Sequence, residues 1–341
     1  MKVPNWIKSF SAYESVRAAY HRSAKKRSIR KTYEKNLLLW GKQFASLDRD
    51  AAESAAFGTC EEMICAFQMK ETYLLEWLRN ELREVLQRYE NEPYSFPSKH
   101  ESIPRIIWVY WWDGLENAPQ IVQCCLSSIK QHAKGFEVRF VDRTNLEQYL
   151  AIPPFLMEKQ ENGAIGKAHF SDVIRMMLLG RYGGVWMDAT LYCSKQIPPE
   201  VTVGPFYSCK KEWNESTPSH GRWSGWMFGG IPAFRFFSFM EDALTTYWRK
   251  HSSAIDYLLM DYLFSLAYEI LPELQEAVDH LLPQNSMRDE LMRRINEPYV
   301  PSFFENDTFL YKLSYRYGNP VETTRKGQRT FYSYILHENG S

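Results

Sequence analysis

Apolar residues recur at three- and four-residue steps through Phe170, Val173, Ile174, Met177, Leu178 and Tyr182, the stripe of a helix laid on a core. The pattern predicts that this helix stops at Gly183 and Gly184, since glycine accepts the backbone angles of a helix C-terminus. Val185, Trp186 and Met187 then read as a short buried strand with Asp188 at its end, while Asp172 and Arg175 sit near the start of the helix.

The same reading upstream predicts strands at 105–110 and 136–141 around a helix at 119–133, the alternation that builds a parallel α/β sheet. Further strands are predicted at 207–210, 226–230 and 309–313, and helices at 234–250 and 256–270. Residues 1–95 carry mostly helical patterns, including a long helix over 61–89, and a proline-rich stretch at 91–104 joins them to the rest. The expected fold is therefore α/β: a Rossmann-type mixed sheet with flanking helices over 96–341 and an N-terminal helical appendage over 1–95. In such sheets ligands collect at the carboxyl ends of strands. Trp111, Trp112 and Asp113 follow the first strand, Asp142 the second, and Asp188 the strand after the 170–182 helix, so these ends should share one crevice.

Composition narrows the classes. With 41 basic and 41 acidic residues in 341, no global field favours nucleic acid as a partner. Six cysteines, at 60, 65, 124, 125, 193 and 209, form no CxxC and no zinc-like spacing, which suits reduced thiols in the cytoplasm. The longest apolar run, 106–112, falls far short of the roughly 20 residues that span a bilayer, and no signal-peptide order is seen. Residues 17–35 hold eight Lys or Arg against Glu34 alone, either a solvated helix face or a basic helix lying on anionic lipid at the inner face of the membrane.

The run SDVIRMMLLGRYGGVWMDAT, residues 171–190, resembles the signature SDxxRxxxLxxxGGxYxDxD of glycosyltransferases of the A-type (GT-A) fold. With IPRIIWVYWWDGLENAP at 103–119, the chain is similar to bacterial capsular polysaccharide synthesis glycosyltransferases over roughly 103–313. Ser171, Asp172, Arg175, Gly183, Gly184 and Asp188 match, whereas Thr190 replaces the last aspartate.

This resemblance implies a GT-A-like fold. It also implies transfer, with retained anomeric configuration, of a hexose or related sugar from a nucleotide diphosphate, foremost a UDP-sugar. The acceptor would be a growing capsular or surface polysaccharide or a lipid-linked oligosaccharide. It places Asp172, Arg175, Gly183 and Gly184 on the nucleotide sugar and Trp111 and Trp112 at its base and ribose. Lys312, in YKLSYR at 311–316, falls on the diphosphate. Asp188, with Thr190 as a much weaker partner, would hold Mn2+ or Mg2+, or a basic side chain would replace the metal.

Several residues keep two readings. Asp172 and Arg175 also fit an i, i+3 ion pair worth only about 0.2–0.5 kcal/mol, and Lys312 also fits a surface lysine on an edge strand. Trp223 and Trp226, set among glycines in HGRWSGWMFGG at 220–230, offer rigid faces to an acceptor sugar or pack ahead of a buried strand. Asp256 and Asp261, in IDYLLMDYLF, either join Asp188 as catalytic acids that orient an acceptor hydroxyl or are exposed helix acids. His169 contacts ligand or is structural. Two other functions remain: a sugar-nucleotide-binding module without catalysis, motivated by Thr190, and a sugar-phosphate transferase of capsule synthesis.

Overall fold

The computed structural model describes residues 61–94, 96–97, 101–211, 217–316 and 320–338; the basic run at 17–35 lies outside them. In chain order the helices and strands are α1 Glu61–Glu81, α2 Arg83–Asn91, β1 Ile106–Tyr110, α3 Gln120–His132, β2 Glu137–Val141, α4 Pro154–Glu161, α5 Lys167–Tyr182, β3 Gly184–Met187, β4 Leu191–Cys193, β5 Phe206–Ser208, β6 Met227–Gly230, α6 Arg235–Lys250, α7 Leu259–Ile270, α8 Pro272–Asp279, α9 Glu290–Arg293, β7 Leu310–Lys312 and α10 Phe331–Glu338.

Five strands form the central sheet in the order β2-β1-β3-β6-β5. β1 lies parallel to β2 and β3, and β6 runs antiparallel between β3 and β5, so the sheet is mixed, as expected. Its sides follow from the period-two alternation of strand side chains. Trp108, Tyr110, Trp186, Phe206 and Phe228 enter one apolar layer, shared with side chains of α1, α2 and α5–α8. Ile107, Val109, Val185, Met187, Tyr207 and Met227 enter the other, shared with α3, α9 and α10. Burying each large apolar side chain contributes about 1.5–3 kcal/mol.

Three differences from the predicted elements have local causes. The helix over 61–89 is two helices, because Leu82, at φ −110° and ψ 17°, leaves helical geometry between them. Leu74, Leu78, Leu82, Val85, Leu86 and Tyr89 bury themselves in the first layer, so this described part of the 1–95 region packs on the sheet's own core. The helix expected from 256 starts at Leu259, since the carboxylate of Asp256 accepts the backbone N–H of Leu258 and holds a turn there. Finally, β4 and β7 leave the main sheet and pair with each other, Leu191 opposite Lys312. No described helix is long and apolar enough to cross a membrane.

Candidate active site

The paired glycines set the frame. Gly183 closes α5 at φ 64°, and Gly184 opens β3 at φ 101° with so close an approach that a Cβ there would lie 2.6 Å from the carbonyl oxygen of Ile106. Both lie at the start of β3, whereas Asp188 leaves its far end, and their backbone angles and close approaches pack β3 against β1 and β6. β1, β2 and β3 run parallel, so Trp111–Asp113, Asp142 and Asp188 all emerge on the carboxyl edge of the sheet.

At that edge α5 brings Arg175 to Asp188. The Arg175 guanidinium is almost fully buried and lies 3.0 Å from Asp172 Oδ1 and 3.7 Å from Asp188 Oδ1. It also donates to the Ser171 carbonyl and hydroxyl and to the Gly225 carbonyl, and packs over the Trp186 ring. Trp186, two residues before Asp188 and on the same strand face, donates its indole N–H to Asp188 Oδ1 at 2.9 Å. The backbone N–H of Asp188 is bound by the Trp226 carbonyl. From β7, Lys312 Nζ lies 2.7 Å from Asp188 Oδ2 and 2.8 Å from Thr190 Oγ1. Asp172, Arg175, Asp188, Thr190 and Lys312 are thus one connected cluster.

Two neighbouring carboxylates titrate in opposite directions. Burial raises Asp172, and Arg175 offsets only part of that. Burial also pushes Asp188 upward, but the charges of Lys312 and Arg175 and the bonds from Lys312 and Trp186 outweigh it, so Asp188 falls below the usual carboxylate range. Asp188 is the fixed anion of the pair.

Asp261 joins the cluster across Gly225. A Cβ on Gly225 would sit 3.7 Å from Asp261 Oδ1, and its carbonyl is the one that Arg175 binds. Burial pushes Asp261 up to about 6, partly countered by the Trp223 indole N–H, which donates to Oδ1 at 3.0 Å. Trp223 itself is 2% exposed and stacked on Phe264, with Arg222 over its ring. Its expected role as an open face for an acceptor sugar is therefore corrected to a support for Asp261. Trp226 is half-buried, with buried Arg288 over its ring. Asp256 is buried ahead of α7 with one oxygen committed to the Leu258 N–H, so it is a turn-forming residue rather than an exposed helix acid.

Around the cluster, Trp111 meets Tyr315 edge-on at 5.1 Å, which draws the C-terminal YKLSYR segment over the loop after β1. The buried indole nitrogen of Trp111 has no partner among the described residues. Trp112 packs edge-on against Phe170. Asp113 pairs with Lys167 at the start of α5, and Asp142 spends Oδ1 on the Thr144 N–H and hydroxyl, so both shape loops. His169 packs against Trp248 and Tyr257, and its buried Nε2 has no partner among the described residues. Sequence reasoning missed Tyr257, whose hydroxyl is raised by burial and by the nearby Asp172 and Asp188 charges. It also missed Gly225 and the polar role of Trp186; for Trp186 the i, i+2 spacing to Asp188 was the available signal.

A divalent cation bridging a diphosphate, the group the resemblance implies, takes about six hard oxygens at about 2.1 Å. The side chains here do not fit it. Asp188 is the one carboxylate at the turn, both of its oxygens already accept N–H donors, and the Thr190 hydroxyl is a neutral oxygen bound to Lys312. Among the described residues, no group of three or more His, Cys, Asp or Glu side chains is placed to hold a metal ion.

Comparison with known proteins gives a family. The O-glycosyltransferase braB of Annulohypoxylon truncatum is 26% identical over 100 residues, 27% of this chain and 24% of that protein, so the match spans about a quarter of that relative's length. A solved structure titled PaToxG Glycosyltransferase aligns at 15% identity with a TM-score of 0.37, covering 62% of this chain and 83% of that one. The family model described as capsular polysaccharide synthesis protein matches residues 61–335, which takes in α1, the whole sheet and the cluster around Asp188. The chain belongs to the capsular polysaccharide synthesis protein family.

Proposed function

We propose that this chain is a glycosyltransferase of GT-A-like fold that moves a sugar from a nucleotide diphosphate, foremost a UDP-hexose, onto a capsular polysaccharide or a lipid-linked precursor. The observation that carries this reading is the cluster itself. Carboxylates (Asp172, Asp188) that suit sugar and ribose hydroxyls stand beside cations (Arg175, Lys312) that suit a diphosphate, at the carboxyl edge of parallel strands. The unpartnered indole N–H of Trp111, beneath Tyr315, gives a polar handle on an aromatic wall for the base.

In this reading the bond from the anomeric carbon to the diphosphate oxygen breaks with its electron pair leaving on that oxygen, where Lys312 stabilises the charge, while buried Arg175 holds Asp172 and Asp188 in place. The acceptor hydroxyl bonds to the same carbon. Its oxygen is oriented by Asp261, and its proton passes to the departing diphosphate, consistent with the retained configuration the sequence resemblance implies. The protein works at the cytoplasmic face of the membrane, and the basic run at 17–35 holds it near anionic lipid.

The test is the identity of the nucleotide product. Incubating the full-length protein with a panel of UDP-sugars and lipid-linked or polysaccharide acceptors should release UDP and lengthen the acceptor by one sugar. Release of UMP would instead mark a sugar-phosphate transferase. Tight binding with no turnover on any acceptor would mark a binding module.

A further inference from the structure

We infer that Lys312 is the resident cation of this site: its ammonium group, in place of a divalent metal ion, meets the diphosphate, and sugar-nucleotide binding needs no metal. This rests on the sugar-nucleotide reading above and goes beyond it by assigning the counter-ion.

The backbone fixes where the ammonium sits. The Leu191 N–H bonds to the Asp188 carbonyl and closes a turn, and β7 is laid against it with Lys312 opposite Leu191. The Leu313 N–H binds the Thr190 carbonyl at 2.9 Å, and the Lys312 N–H binds the Arg288 carbonyl at 2.8 Å, so the chain is held on both sides of the lysine. Its Nζ then bridges Asp188 Oδ2 and Thr190 Oγ1, the two side chains at the ends of the Asp-Ala-Thr turn.

Charge matching makes the same point. One carboxylate and one hydroxyl are an environment for a monovalent cation, whereas a divalent ion would want the second carboxylate that Thr190 lacks. The third ammonium N–H has no acceptor among the described residues, and the side chain is 27% exposed, so a phosphate oxygen can reach it. Asp188 reports the coupling, because Lys312 is the charge that chiefly opposes the effect of burial on its carboxyl. A metal ion would first have to displace that lysine from the only carboxylate it could use at the turn.

Calorimetric titration of the full-length protein with UDP and GDP, in EDTA and then in manganese, tests this without requiring turnover. The wild-type dissociation constant should agree between the two conditions within about threefold. Lys312→Met, which keeps most of the stem, should weaken binding in EDTA by at least about tenfold, the scale of one charge-assisted hydrogen bond. In a Lys312→Ala, Thr190→Asp double variant, which restores a second carboxylate and removes the ammonium, binding should become manganese-dependent. Wild-type binding that disappears on chelation and returns with manganese would overturn the inference whatever the variants do. If neither nucleotide binds under either condition, the sugar-nucleotide reading itself falls, a result distinct from metal dependence.

Discussion

Trp223 donates its indole N–H to Asp261 Oδ1 at 3.0 Å while its ring lies flat on Phe264, with centroids 4.1 Å apart and planes 8° from parallel. One side chain thus fills the core with its face and holds a carboxylate with its edge. Trp223→Phe keeps much of the stack and removes the donor, and with it the bond that favours the anion. Asp261 should then titrate above its wild-type value of about 6. The acid limb of the pH–rate profile should move upward with it, as should the carboxyl-carbon NMR titration. An unmoved midpoint would mean that this bond does not set the acidity of Asp261.

The same carboxylate links stability to pH. Its folded value of about 6 lies above the ordinary value of about 3.9, so between those two the folded state binds more protons than the unfolded chain. Stability therefore falls as pH rises through this window, and the full cost of the buried anion is present above about pH 6. Asp261→Asn keeps an oxygen for Trp223 and carries no charge. It should be more stable than wild type by about 1–3 kcal/mol at pH 8 and close to it at pH 4, as read from urea unfolding. An equal stability difference at both pH values would remove burial of charge as the cause.

The contrast between Trp186 and Trp223 shows where the sequence was legible. Period-two alternation places Trp186 on one sheet face and brings Asp188 to the same side, and the glycine pair marks where the helix gives way to the strand. These are local rules, and the parallel sheet, the crevice edge and the cluster of Asp172, Arg175 and Asp188 follow from them. Whether a tryptophan face is open or covered depends on what arrives from another helix. Phe264 of α7 covers Trp223, and nothing in HGRWSGWMFGG announces it. Asp256 fails for a related reason: a helical pattern does not say whether its first acid lies on the helix or in the turn that precedes it.

Asp188→Asn isolates the fixed anion. Asparagine can still accept from Trp186 through Oδ1, but its amide nitrogen would then face the Lys312 ammonium, a donor against a donor. The charge that balances Lys312 and Arg175 is lost at nearly constant volume. Transfer should fall by at least about a hundredfold, the scale of losing one electrostatic contact to the transition state. The far-ultraviolet circular dichroism should be unchanged. Wild-type turnover would take Asp188 out of the site.

Membrane contact through the basic run at 17–35 is an electrostatic claim and should behave as one. Co-sedimentation of the full-length protein with anionic liposomes should exceed that with neutral liposomes. It should weaken as salt is raised from about 0.1 to 0.5 M, where the Debye length shortens from about 10 Å to roughly half that. Sedimentation indifferent to both lipid charge and salt would leave the run as a solvated face.

The glycine pair is open to the most direct test of structure against ligand contact. Gly184→Ala forces a non-glycine residue to φ 101° and sets a Cβ 2.6 Å from the Ile106 carbonyl oxygen, an atom of the neighbouring strand that cannot move without breaking register. Strain of this kind costs about 1–3 kcal/mol before the clash is counted, so a loss of more than about 2 kcal/mol is expected in denaturant unfolding. Gly166, just before α5, is the control. Its φ is −71° and a Cβ there meets nothing within 4 Å, so Gly166→Ala should change stability by less than about 1 kcal/mol. If the two substitutions cost the same while Gly184→Ala selectively weakens nucleotide binding, the pair belongs to the ligand site after all, and the backbone account of it is wrong.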